Sequence, residues 1–222
     1  DHHLKEGNSI VGTDRNFVEI KEHSLFRVSY EDYMKPVLKM YNEINDVGSN
    51  TKADVARQME IYSEIIEQLK LVKKKYDYYL ASQYAGGITN QIKYENLLRS
   101  TDISDFDKKE MRPLWKVAEG MKFFHWELEF PEVFLKGGFD IAIGNPPYAN
   151  CVYPKSMLSL IGYVTIDSGD LYTLFVENMI YKCKKDSLGG MILPLSLTFS
   201  RNMKSLRGLL VQIRKKWMIS SY

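Results

Sequence analysis

The stretch Phe139-Asp140-Ile141-Ala142-Ile143-Gly144-Asn145-Pro146-Pro147-Tyr148 decides how this chain is read. Its first six residues have the length and β-branched content of a buried strand. Two consecutive prolines then forbid continuation, since each fixes φ and lacks an N–H for a ladder. A side-chain amide and backbone carbonyls are thereby presented at a strand's carboxyl end, where open α/β sheets bind ligands. Asn145 offers an amide oxygen, Pro146 a carbonyl and Tyr148 a π-face. Stripped of its surroundings, the same tetrapeptide also reads as a strand ending in a proline-rich turn, with Tyr148 a rim aromatic.

The surroundings are patterned. Downstream, Gly169-Asp170-Leu171-Tyr172-Thr173-Leu174-Phe175-Val176-Glu177 opens a helical pattern with Asp170 at its N-cap. Leu171, Leu174, Phe175 and Met179 recur at helical spacing, Lys182, Lys184 and Lys185 gather near the C-terminal end, and Gly189-Gly190 break the pattern. Met191 to Phe199 then reads as a second buried strand and its exit. Ser205 to Lys216 reads as an amphipathic helix, with a further strand beginning at Met218-Ile219. Upstream, Phe124-His125-Trp126-Glu127-Leu128-Glu129-Phe130-Pro131-Glu132-Val133-Phe134 reads as an extended, partly buried lead-in closed by Pro131 and Gly137-Gly138. His125 has no metal-spaced partner nearby, which favours a packed or hydrogen-bonded imidazole. Strand, turn, helix, strand and helix in this order fit half of an α/β sheet.

Together these residues resemble the N6-adenine DNA methyltransferases of the Asn-Pro-Pro-Tyr class. The 124–134 segment is similar to the one before the catalytic strand in the methylase part of fused type IIG restriction–modification enzymes. Asp1-His2-His3-Leu4-Lys5-Glu6-Gly7-Asn8-Ser9-Ile10-Val11-Gly12 resembles a further family segment, the strand whose tip meets the cofactor adenine. The resemblance implies part of a Rossmann-like class I methyltransferase sheet, S-adenosylmethionine as cofactor, and double-stranded DNA with a flipped adenine as substrate. It also implies roles. Asn145 and Pro146 polarise the adenine amino nitrogen, Tyr148 stacks on the extruded ring, and Pro147 shapes the turn and borders the cofactor. Pro147 and Phe175 line the substrate pocket, although the helical periodicity of Phe175 alone places it in a core. Asn8 contacts the cofactor adenine, although Gly-Asn-Ser is common in any turn. The methyl group would pass directly from sulfonium to nitrogen. An aromatic amine is a poor nucleophile because its lone pair enters the ring, and two fixed acceptors favour its more tetrahedral transition state.

The same comparison divides the chain into a third-strand region (1–29), a large helical insertion (30–122) and a catalytic half (123–222). Within the insertion, 30–47 and 52–84 show helical periodicity, with Thr51 as an N-cap and Val55, Met59, Tyr62, Ile66, Leu69 and Val72 on one stripe. Gly86-Gly87 ends the second helix, Thr89 to about Leu98 is a shorter candidate, and another spans about 104–121 across Pro113. Lys70, Lys73, Lys74 and Lys75, followed by Tyr76, Tyr78 and Tyr79, suit either phosphates and unstacked bases or the solvated face and core edge of a helix. Arg214, Lys215 and Lys216 sit near a helix end, where cations are favourable without a ligand.

The family's Phe-x-Gly-x-Gly cofactor loop and its ribose-holding carboxylate do not occur in these 222 residues. The expectation is a piece of a longer polypeptide, with a cofactor half upstream and a target-recognition domain downstream. Asp1-His2-His3 also suggests a metal phosphoesterase, but the further aspartates that chemistry needs are missing, and no metal site is expected. Two alternatives stay open: a methyltransferase acting on RNA or protein amides, and a non-catalytic DNA-binding remnant of the fold.

Composition is compatible with all of these. With 45% hydrophobic and 26% charged residues, the chain can bury a sizeable core. A net charge of +2 does not by itself signal nucleic acid. No apolar run approaches the roughly 20 residues that span a bilayer, and two isolated cysteines form no disulfide framework. A cytoplasmic setting without a membrane is expected.

Overall fold

Helix pairs and a parallel strand pair arise from different halves of the chain. The computed structural model describes residues 4–13, 30–84, 100 and 102–213. They fall into two units, Asp1–Leu135 and Lys136–Tyr222. The expected helix at Thr89–Leu98, the Gly86-Gly87 stop, the Asp1-His2-His3 triplet, Arg214–Lys216 and the strand at Met218-Ile219 lie outside the described residues.

The first unit is built on a helical hairpin, α1 (Tyr30–Asp46) and α2 (Lys52–Tyr84). Thr51 caps α2 as expected: its Oγ1 accepts from Asp54 N–H at 3.1 Å while Asp54 Oδ2 accepts from Thr51 N–H at 2.9 Å. Gln58 Nε2 donates to the Val47 carbonyl at 3.1 Å, closing the end of α1. Met34, Val37, Tyr41 and Ile44 pack with Ile61, Ile65, Leu69, Val72 and Tyr76. This corrects the expected stripe on α2. Val55, Met59 and Ile66 are exposed, and only Leu69 and Val72 of that set are buried. Apolar residues line more than one face of α2, and the line that α1 meets becomes the core.

Further along, Ile103–Asp107 and Lys109–Met111 are short 3₁₀ turns, and α3 spans Arg112–Met121. The helix expected from residue 104 therefore starts later, with Pro113 in its first turn, where the missing N–H costs no intrahelical bond. The 124–134 segment is not extended. It forms two single helical turns, Trp126–Glu129 and Pro131–Phe134, the second opened by Pro131 at its first position. His125 is wholly buried, with Nδ1 accepting from Thr13 N–H at 3.0 Å and Nε2 facing Asp77 Oδ1 at 3.0 Å. It is the hydrogen-bonded histidine expected. The lysine–tyrosine cluster is the core edge of α2: Tyr76, Tyr78 and Tyr79 are buried, and Lys70, Lys73 and Lys74 pair with Glu67, Glu129 and Asp107.

The second unit holds β1 (Phe139–Gly144), α4 (Lys155–Ile161), α5 (Leu171–Lys182), β2 (Cys183–Met191) and α6 (Lys204–Gln212). β1 and β2 pair in parallel, with Ile141 opposite Leu188 and Gly144 opposite Met191. The chain is thus a mixed α/β protein with a two-stranded parallel sheet among its described residues. Two expectations change. The second strand lies at Cys183–Met191 rather than at 191–199, and Ser196–Phe199 is a helical turn. Gly189-Gly190 sits inside that strand: a Cβ at Gly189 would lie 3.1 Å from the Met179 sulfur, so the glycine lets β2 cross α5 closely. β1 forms where expected, yet Ile141 and Ile143 are 61% and 84% exposed, because no described layer covers that face.

The core of this unit joins Tyr172, Val176 and Ile180 of α5 to Leu197, Met203, Leu206 and Leu209. Of the expected α5 stripe, Leu174 is fully buried and Leu171, Phe175 and Met179 are half-buried. Asp170 occupies the N-cap of α5, but its side chain makes no cap bond. No helix among the described residues is long and apolar enough to cross a membrane.

Candidate active site

Parallel pairing carries the two strands to a common carboxyl end. The ladder closes with Ile192 N–H donating to the Gly144 carbonyl at 3.3 Å. The next residue is Asn145, exposed, followed by buried Pro146 and exposed Pro147 and Tyr148. Burial of the Pro146 ring anchors the turn, and its flanking residues stay accessible.

Tyr148 is held at two points. Its hydroxyl donates to the Ile192 carbonyl at 2.8 Å, and its ring stands edge-on to Tyr172, 6.2 Å between centroids and 81° between planes. The same hydroxyl lies 3.5 Å from Asn145 Oδ1, which sets the amide oxygen at the hydroxyl edge of the ring. With 55% of its surface exposed, Tyr148 keeps ring area open to solvent. Tyr172 is buried, its hydroxyl 3.0 Å from Met203 Sδ, and burial raises its phenol pKa. It is a neutral wall for Tyr148.

The chain after the tetrapeptide is tied to the start of α5. Leu171 N–H donates to the Ala149 carbonyl at 2.8 Å, Cys151 N–H to the Gly169 carbonyl at 2.7 Å, and Asn150 bridges Asp170. Gly169 takes φ +76°, a left-handed turn that glycine adopts without strain. A buried carboxylate secures the preceding loop: Glu177 accepts from Val164 N–H at 2.8 Å, Thr165 N–H at 2.9 Å and Thr165 Oγ1 at 2.7 Å. An exposed amide oxygen and an aromatic ring therefore stand on a turn fixed at both ends. Such an arrangement can receive a planar group bearing N–H donors.

Asn145, Pro146, Pro147 and Tyr148 thus share one turn. Phe175 lies on α5 three residues beyond Tyr172, and among the described residues no hydrogen bond or ring contact joins it to the tetrapeptide. Asn8 belongs to the first unit, where its N–H donates to the Lys122 carbonyl at 2.7 Å and it bridges Phe123 in parallel. Sequence reasoning did not find Tyr172 or the Ile192 carbonyl. Tyr172 was visible as an aromatic in the first turn of α5, but a backbone carbonyl leaves no signal in residue identity.

The family model of the Eco57I restriction-modification methylases matches residues 8–221. The chain belongs to that family. Membership of a restriction–modification methylase family agrees with the coarse expectation drawn from the resemblance. Over 99 residues the chain is 29% identical to a protein of Methanocaldococcus jannaschii named as a type II restriction enzyme and methyltransferase. That stretch covers 45% of this chain and 8% of the relative, so the chain spans a small part of its length. No solved structure matches the chain significantly. Among the described residues no group of three His, Cys, Asp or Glu side chains could hold a metal ion.

Proposed function

We propose that this chain carries the catalytic turn of an S-adenosylmethionine-dependent DNA methyltransferase that modifies the exocyclic amino group of a flipped adenine. The setting is a restriction–modification or phage-defence enzyme of the type IIG kind. The observation that carries this reading is Asn145 exposed at the carboxyl end of β1, with Tyr148 latched beside it by the Ile192 carbonyl. Asn145 Oδ1 and the Pro146 carbonyl accept from the two amino hydrogens, drawing the nitrogen towards tetrahedral geometry. Tyr148 offers its exposed ring for stacking, typically about 1–3 kcal/mol per base. Extruding the base costs a few kcal/mol, which such stacking and hydrogen bonding offset.

S-adenosylmethionine would supply the electrophilic methyl group. The residues that fit it here are few: Asn8, half-buried in a turn whose Gly7 and Gly12 pack directly on Phe124, and Pro147, exposed in the catalytic turn. The glycine loop and ribose carboxylate must come from elsewhere in the polypeptide, along with any target-recognition domain. In this reading β1 and β2 are neighbours in a wider Rossmann-like sheet, 30–122 is a helical insertion, 123–222 is the catalytic half, and Phe175 borders the substrate pocket. The outward-facing Ile141, Ile143 and Leu188 support a sheet that is covered in the whole protein. The setting is cytoplasmic.

The test is methyl transfer by the intact protein to duplex DNA, read by mass spectrometry of the nucleosides. N6-methyladenine is the expected product. Asn145→Ala should lower the rate by about 10²–10³-fold, as for loss of one preorganised polar contact to a transition state, while DNA affinity holds. Full turnover by that variant, or methyl transfer to RNA or protein alone, would overturn the assignment.

A further inference from the structure

A cleft of about 690 Å³ lies in the second unit, lined among others by Arg201, Asn202, Lys204, Ser205, Gln212 and Asp167. Nothing in the catalytic turn uses it. Arg201 and Lys204 make no ion pair among the described residues, whereas Asp167, the carboxylate in the lining, is engaged by Lys155 at 3.1 Å. Lys204, Ser205, Gly208 and Gln212 follow one another along one flank of α6. The Ser205 hydroxyl oxygen is screened from solvent and has no hydrogen-bond partner. An oxygen closed off from water is equally closed off from a phosphate oxygen, so the donors of the cleft are its exposed side chains. Gly208 completes the lining, and a Cβ there would meet nothing within 4 Å.

Two exposed, uncompensated cations with the Asn202 and Gln212 amides beside them are a donor set for a phosphate. The cleft far exceeds a bare phosphate, and its size suits a phosphate carried on sugar. We infer that it holds a backbone phosphodiester of the DNA substrate, contacted by Arg201 and Lys204. This inference rests on the function proposed above. It adds a positioning contact that grips DNA independently of the target base, since phosphate contacts set register without reading sequence.

The test is fluorescence anisotropy of the intact protein with a fluorescein-labelled duplex across a salt series. Each phosphate contact contributes about 0.9 to the magnitude of the log–log salt slope. The Arg201→Gln/Lys204→Gln double variant should lower that magnitude by about 1–2 and weaken low-salt binding about tenfold or more, equally for duplexes of different sequence. Gly208→Glu places a carboxylate in the cleft on a helix position that gains propensity from losing glycine, and should weaken binding without lowering Tm. Unchanged slope and affinity in both variants, with methylation intact, would overturn the cleft alone. Failure of the intact protein to bind or methylate DNA would overturn the proposed function with it. In a third arm, inorganic phosphate is compared with chloride at equal ionic strength. A rise in Tm that Gly208→Glu abolishes while DNA affinity stays wild-type would identify a small-anion site and overturn the DNA assignment.

Discussion

Replacing Tyr148 by Phe separates two contributions that the site combines in one side chain. The change removes the hydroxyl that donates to the Ile192 carbonyl at 2.8 Å and keeps the ring, including its edge-on contact with Tyr172. A net intramolecular hydrogen bond is worth about 0.5–1.5 kcal/mol, and Tyr148 is exposed enough for water to reach its surroundings, so the low end applies. Loss of the latch should therefore slow methyl transfer about 2–5-fold, since about 1.4 kcal/mol corresponds to tenfold. Tyr148→Ala also removes the stacking surface, worth about 1–3 kcal/mol, and should cost about 10–100-fold. The assay is single-turnover methyl transfer, paired with the fluorescence of 2-aminopurine at the target position as a reading of base capture. Phe should keep most of the fluorescence signal and Ala should lose it. Equal damage from Phe and Ala would refute the stacking argument, because the hydroxyl alone would then account for the effect. Wild-type behaviour of Ala would remove Tyr148 from the site altogether.

Other outcomes follow from the packing. Glu177→Ala leaves three donors at Val164 and Thr165 unpaired, and should destabilise the protein by roughly 2–4 kcal/mol; an unchanged chemical-denaturation midpoint would contradict this. Gly12→Ala would place a Cβ 1.8 Å from the Phe124 carbonyl oxygen, so the variant should melt markedly lower or fail to accumulate soluble, and wild-type melting would show that this contact is relaxed. Burial lowers the Lys75 pKa from its ordinary 10.5, so the folded state binds the proton less tightly than the unfolded one. Stability from this group should rise as pH climbs from its folded pKa towards 10.5, and Lys75→Met should stabilise most at neutral pH and least near that upper limit. Comparing the two proteins across that range isolates the amine from Tyr41 and Tyr78. Burial raises those phenols, Tyr78 to about 12, so they lose stability as pH rises above their ordinary 10. A wild-type minus variant difference that is flat with pH would refute the assignment to Lys75.

What was legible from residue identity was local and covalent. Pro146-Pro147 had to end a strand, so Asn145 and Tyr148 had to share a turn whatever packed around them. Thr51 was legible as an N-cap, whereas the helix expected from 104 across Pro113 starts only at Arg112, with the proline in its first turn. The position of β2 was not legible. Cys183–Met191 is polar and contains two glycines, and it becomes a strand because β1 offers it a ladder and α5 needs close approach at Gly189. The buried line of α2 was equally ambiguous, since apolar residues occupy several faces and only the position of α1 selects Ile61 and Ile65 over Met59 and Ile66.

The shared turn of Asn145 and Tyr148 was therefore determined by sequence alone, because proline sterics do not depend on distant partners. The latch of Tyr148 on Ile192, the wall formed by Tyr172 and the cleft that brings Val164, Asp167 and Tyr181 to Arg201 and Lys204 were decided only in three dimensions. Each joins residues far apart in the chain, or uses a backbone atom common to every residue, so no local pattern encodes it.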